Sequence, residues 1–388
     1  VKIPTQKGAD KINLKISNNI TAPCLLIFIM LALILFQSVF FKSIAIAGDD
    51  TTTVSVDAES PSDTIATAPT ADGAQVVQSI GSAATDGKYI TYNNTEYQPD
   101  KFFILVIISH ICVFILPAVF YIKLKGAGYS KKLKLSLPNP NYISLAVYIF
   151  FTLIFGVTLI NSLVAYLSGF TLSVGGASVD TGGNPVYGAG VLLSFIILPA
   201  VCEEFVFRGV LSAEYEKYGA VCAAVITSIA FSLSHFSLVL FPSYLFAAII
   251  FYGLAKVTNC VIFPVILHAG YNFYNIYIWD KLANVLKFEQ NRFMFIFLTA
   301  VIFMISVYLV FGRIENIYYG KAYKINSAQA GADYIRQKNI KNKENNTDDN
   351  NININKGDEA NFFIRFFRSF LSPTFIAAII IFFIYIFL

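Results

Sequence analysis

Nine apolar runs, separated by polar or charged stretches, set the pattern of this chain. They lie at about Ala22–Phe41, Phe102–Ile122, Ile143–Leu167, Val191–Leu211, Ala220–Leu240, Ser243–Lys256, Val261–Trp279, Phe293–Phe311 and Leu371–Leu388. A helix needs about 20 apolar residues to cross a bilayer, and most of the runs approach that length. Lipid leaves no partner for an open backbone N–H or C=O, so runs of this kind fold as helices. The expectation is an all-α, polytopic transmembrane helical bundle of eight or nine spans. Lys123–Lys134 is rich in lysine, whereas the Gly-rich loop Gly169–Gly190 has no Lys or Arg. Alternating the spans places every lysine-rich loop on one side, which positive-inside bias makes the cytoplasmic one.

The pattern divides the chain into five parts. Residues 1–47 hold a polar stretch with four lysines and the first membrane anchor. That run ends in Lys42 and then Ala45-Ile46-Ala47, a small-residue pattern that signal peptidase reads. Its length favours a retained anchor, with a cleaved signal peptide as the alternative. Residues 48–101 form a Ser/Thr-rich extracytoplasmic loop, expected to be mostly disordered, with apolar periodicity only near Val76-Val77 and Tyr89–Tyr97. Residues 102–312 are the transmembrane core, 313–370 a Lys/Asn-rich cytoplasmic tether, and 371–388 a final hydrophobic span.

Composition agrees with a membrane chain. It is 56% hydrophobic and 13% charged over 388 residues, with a mean hydropathy of +0.63, which excludes an ordinary soluble protein. The formal net charge of +4 is small, and no basic tract with interleaved aromatics points to nucleic acid. The partners expected are the lipid bilayer and a peptide or membrane-protein substrate. The five cysteines lie in or beside apolar runs without CxxC spacing and read as small buried hydrophobes. With 22 lysines to six arginines and many Asn and Ile, the chain fits an AT-rich genome and hence a bacterial cell membrane.

One run carries charge at its centre. Glu203–Arg208, EEFVFR, places two carboxylates and a guanidinium within Val191–Leu211. Three such groups cost about 8–10 kcal/mol in lipid, and a dozen Leu, Ile, Phe and Val return only about 4–7. The charges must therefore face protein or a wet cavity, where ionisable groups serve function. Two further runs supply possible partners: His235 closes FSLSH and His268 opens HAGYN. Glu204/Arg208, Phe231/His235 and His268/Asn272 are each four residues apart, so each pair shares one helix face. Glu203 is turned about 100° from Glu204, so one carboxylate is free to work while the other pairs with Arg208. Pro199 and Pro264 precede two of these sites and are expected to open the helix there. His110, on the second span, reads as an interhelical hydrogen-bond partner.

Depth sets one condition on any meeting of these groups. At about 1.5 Å per residue, Glu203 lies about 12 Å from the run's end at Leu211. His268 lies about 10 Å from Val261, and His235 about 22 Å from Ala220. The three meet if His235's span begins later, near Ala224, and that is the expectation.

EExxxR, FxxxH and HxxxN, each in a membrane helix and in this order, resemble the type II CAAX prenyl endopeptidase family. Its bacterial relatives are the CAAX protease and bacteriocin-processing (CPBP) group. NCVIFPVILHAGYN resembles the family's last motif region, and the likeness covers roughly Gly190–Ile278. It implies an intramembrane endopeptidase acting on a membrane-associated protein or peptide, with its site open towards the cytoplasm. Carried over by position, Glu203 activates a water that His235 positions. His268 and Asn272 donate hydrogen bonds to the developing oxyanion, and Glu204/Arg208 supports them. No cofactor and no metal is implied in this form. Two alternatives stay open: a zinc peptidase using the same Glu/His cluster, although HExxH is absent, and a non-catalytic immunity or proton-coupled transport protein.

Overall fold

The computed structural model describes residues 22–40, 90–92, 95–126, 128–168, 185–279, 282, 289–340, 370 and 372–387. Ala45-Ile46-Ala47, most of the Ser/Thr-rich loop, the Gly-rich loop from 169 to 184 and the Asn-rich middle of the tether lie outside the described residues.

Within them the regular structure is helical apart from one hairpin, in which Ile90–Tyr92 pairs antiparallel with Thr95–Tyr97. The helices, in order, are α1 (Ala22–Leu35), α2 (Pro99–Lys125), α3 (Ile143–Ser168) and α4 (Tyr187–Tyr218). They continue as α5 (Ala220–Leu233), α6 (Phe241–Thr258), α7 (Ile262–Tyr277), α8 (Glu289–Ile340) and α9 (Pro373–Phe387). Six are long and apolar enough to cross a membrane: α1 (as Ala22–Val39), α2, α3, α4, α6 and α8, with α3 counted from Pro140 to Leu167 and α8 from Asn291 to Gly320. Helices α5 and α9 are apolar but shorter. Large apolar side chains such as Phe120, Leu167, Phe297 and Phe311 stand exposed on the outer faces. That is the pattern of an integral membrane protein, in which lipid takes the place of water.

Local chemistry explains where the helices stop. Proline opens α2 and stands second in α6, where a missing N–H costs nothing. Gly126 (φ +91°) ends α2, and Asn259 in left-handed conformation ends α6. No proline interrupts 289–340, and α8 runs well past Phe311 into the segment expected to be a tether. Helix α8 lies along α3, α9 along α1, and α7 against α4, α6 and α3. Gly270, within HAGYN, admits the Phe150 ring of α3: an added Cβ would stand 2.7 Å from it.

Helix α4 departs from regular winding on both sides of the glutamates. Wider π-type turns at Leu192–Ile197 and Phe205–Leu211 flank the α-helical segment Leu198–Glu204. Pro199 cannot donate a backbone hydrogen bond, and the first wide turn lies directly before it. Wide turns of this kind concentrate at functional sites. Pro264 behaves differently from expectation. It falls in the first turn of α7, where an N–H would be unpaired anyway, and it opens nothing.

The depth condition is met by another route. Helix α5 begins at Ala220, not near Ala224, and it is α4 that is longer, continuing past Leu211 to Tyr218. Gly219 (φ +107°, ψ 155°) joins the two helices as a hairpin. Glu203 and His235 are each sixteen residues from that glycine, so the hairpin brings them to one level, with Glu203 Oε2 3.7 Å from His235 Nε2. Only glycine adopts this backbone readily, and open space surrounds it, so the cost of Gly219→Ala is that of the backbone alone. A loss of about 1–3 kcal/mol is expected, measured as a lower thermal midpoint in detergent.

The loop from 128 to 136 straps α4 to the junction of α6 and α7. Tyr129 donates to the carbonyl of Val210 at 2.8 Å, Ser136 donates to that of Asn259 at 2.6 Å, and Val261 N–H donates to that of Lys134 at 2.9 Å. Lys134 also pairs with Glu216, and its burial holds the amine below the usual lysine range against the pull of that carboxylate.

Candidate functional site

Helices α4 and α7 and the turn that follows α5 bring the six residues singled out in the sequence to one place. Glu203 and Glu204 end the regular segment of α4, so the wide turn after them sets Arg208 beneath Glu204. Arg208 Nη1 donates to Glu204 Oε1 at 3.0 Å, and Nη2 donates to the carbonyl of Ala248 on α6 at 3.0 Å. Both side chains are buried, at 1% and 0% exposure. The guanidinium also lies over the rings of Phe231 (4.5 Å) and Phe251 (5.2 Å).

His268 joins this pair from α7. Its Nδ1 is 3.0 Å from Glu204 Oε1. The ring stacks on Phe251 with centroids 5.0 Å apart and meets Phe231 edge-on at 5.7 Å. Glu204 thus ties α4 to α7, with Arg208 extending the tie to α6.

Glu203 faces the other way. Its Oε2 lies 3.7 Å from His235 Nε2, beyond direct hydrogen-bond range, and has no protein hydrogen-bond partner although buried. His235 itself lies just past the end of α5, which stops at Leu233 and not at Leu240 as expected. Its Nδ1 is 2.9 Å from the carbonyl of Phe231; a carbonyl only accepts, so Nδ1–H donates. In the neutral ring Nε2 is then an acceptor, turned towards Glu203. Phe231 (centroids 4.7 Å apart) and Tyr244 (4.1 Å) hold the ring between them.

Glu203, His235, His268 and Asn272 line one cavity of about 220 Å³. A second, of about 120 Å³, shares His235, His268 and Asn272 and extends to Tyr244, Tyr271 and Asn275. Asn272 Nδ2 reaches the carbonyl of Ile196 at only 3.4 Å. Glu204 and Arg208 stand behind the cavity wall. Among the described residues, no three His, Cys, Asp or Glu side chains gather as metal ligands.

Sequence reasoning missed several members. His110 lines the larger cavity, and its Nδ1 bonds Val106 of its own helix at 2.9 Å instead of reaching across helices. Tyr244 had no signal, since a tyrosine in an apolar run is ordinary. Asn275 had one: it follows His268 by seven residues and Asn272 by three, the spacing of one helix face.

Comparison with known proteins returns one likeness. No match was found among curated proteins or among solved structures. Residues 185–274, running from just before α4 almost to the end of α7 and carrying all six of these groups, match the family model described as Type II CAAX prenyl endopeptidase Rce1-like, and the three motifs that carry the resemblance lie in this segment.

Proposed function

We propose that the chain is an intramembrane endopeptidase that hydrolyses a peptide bond of a membrane-associated protein or peptide with a water held by Glu203 and His235. The matched family is one of CAAX proteases, which supports hydrolase activity. The observation that carries the mechanism is the pair of acceptors facing each other: Glu203 Oε2 and His235 Nε2, 3.7 Å apart. Two acceptors at that spacing need a shared donor, and water has two O–H groups. A water about 2.8 Å from each, off the line between them, gives both hydrogens to the protein and keeps its lone pairs for a carbonyl carbon.

In the reaction Glu203 takes a proton as the water oxygen bonds to the carbonyl carbon, and the carbonyl oxygen gains negative charge. Asn272 Nδ2, weakly held at 3.4 Å, turns to donate to that oxygen. His268 gives Nδ1–H to Glu204, so a second hydrogen bond from Nε2 requires the doubly protonated ring. The proton on Glu203 then passes to the leaving amine as the C–N bond breaks. Asn272→Ala is expected to lower kcat about 10²–10³-fold with little change in KM, the signature of a donor used only in the transition state.

In this reading α5, α7 and α9 also cross the bilayer, which makes nine spans, and the membrane is that of a bacterium. Bacterial substrates would be peptides or small membrane proteins without a prenyl group. Comparative peptidomics of cells carrying wild type or Glu203→Gln tests substrate and activity together. Fragments that vanish in the variant support the reading, and indistinguishable peptidomes overturn it.

A further inference from the structure

We infer that α9, more than a hundred residues beyond the motifs, positions His235 by gripping the turn that carries it. The kinetic meaning of this rests on the hydrolytic reading above, but the structural argument does not. His235 lies outside any helix, in the turn between α5 and α6. Its backbone N–H reaches Ser232 at 3.3 Å, and that of Phe236 reaches Leu233 at 3.2 Å, both at or beyond the long end for such bonds. Phe236 adopts φ +47°, an uncommon conformation for a bulky residue, which lasts only where surroundings fix it.

The surroundings that fix it come from α9. The Phe236 ring is buried against Tyr385 (centroids 4.6 Å apart) and stacks on Phe382 (6.4 Å). Phe382 also meets Phe241, the first residue of α6, at 6.3 Å. One side chain of α9 therefore lies against both the turn and the start of α6. Tyr385 then donates to Gln37 Oε1 on the segment following α1, at 2.7 Å. Gln37, with Leu33 and Phe36, lines the same cavity as Glu203 and His235. Both α1 and α9 lie outside residues 185–274, the segment that the family model matches.

The protein has three histidines, which makes the test direct. Full-length protein carrying ring-labelled histidine, in phospholipid nanodiscs, gives three ring signals, assigned with His110→Gln, His235→Gln and His268→Gln. Phe382→Ala is expected to displace or broaden the His235 signal and leave that of His268 in place. Tyr385→Phe keeps the ring against Phe236 and should retain the His235 signal. Phe387→Ala, at an exposed position on the same helix, should change neither. An unmoved His235 signal in Phe382→Ala overturns the inference. So does equal movement of His235 and His268, which would make α9 a general support of the fold. Absence of any Glu203-dependent cleavage would defeat the hydrolytic reading and leave this result standing.

Discussion

Glu203→Gln is expected to lower cleavage about 10²–10⁴-fold, the range of a lost general base, while the protein stays folded in the membrane. The substitution keeps size and shape and removes only the capacity to take a proton. Glu203 Oε2 has no protein hydrogen bond to lose, and the carboxylate stands at the edge of a cavity, so neutralising it removes little structural support. Thermal stability should hold or rise, because a buried charge costs free energy unless it is paired. Rate is measured as loss of the product fragments that mark the wild type, and folding as the thermal midpoint. The pattern expected is activity lost with stability kept. Wild-type cleavage by Glu203→Gln would remove the carboxylate from the mechanism.

The contrast with Glu204 shows what could be read from the sequence and what could not. That one carboxylate of EEFVFR pairs with Arg208 while the other turns away from it was legible, because adjacent residues on a helix point about 100° apart and Arg208 is four residues from Glu204. The helical character of the apolar runs was legible as well, since such runs have few alternatives in lipid; of the nine, six are long and apolar enough to cross a membrane. Helix ends were harder. Tyr215 and Tyr218 suit an interface as well as a helix, and nothing local says that α4 continues past Leu211 or that α5 stops at Leu233. Those two ends are what bring Glu203 level with His235 and place His235 in a turn. The contribution of α1 and α9 was not legible at all, because Gln37 and Tyr385 are 348 positions apart and each is an ordinary residue in its own run. Local periodicity carries no information on contacts of that separation.

Arg208→Met is expected to destabilise the protein by about 3–5 kcal/mol, the cost of breaking a buried ion pair from one side. Methionine matches the length of the aliphatic stem and packs well between Phe231 and Phe251, so the loss does not come from a void. It comes from Glu204, left fully buried with His268 as its remaining partner at 3.0 Å. The carbonyl of Ala248 also loses its donor, which loosens α6 from α4. Neutralising both partners separates these effects. Arg208→Met with Glu204→Gln removes the stranded charge, and continuum and mutational results on buried pairs lead one to expect that much of the stability returns. Cleavage should stay low in both proteins, because His268 is oriented through Glu204 and an amide holds it differently. Equilibrium unfolding in mixed micelles, followed by tryptophan fluorescence of the buried Trp279, reports the stability of each variant. If the double replacement is as unstable as Arg208→Met alone, the guanidinium acts through Ala248 and the aromatic rings, and the Glu204 pair is not what holds α4, α6 and α7 together.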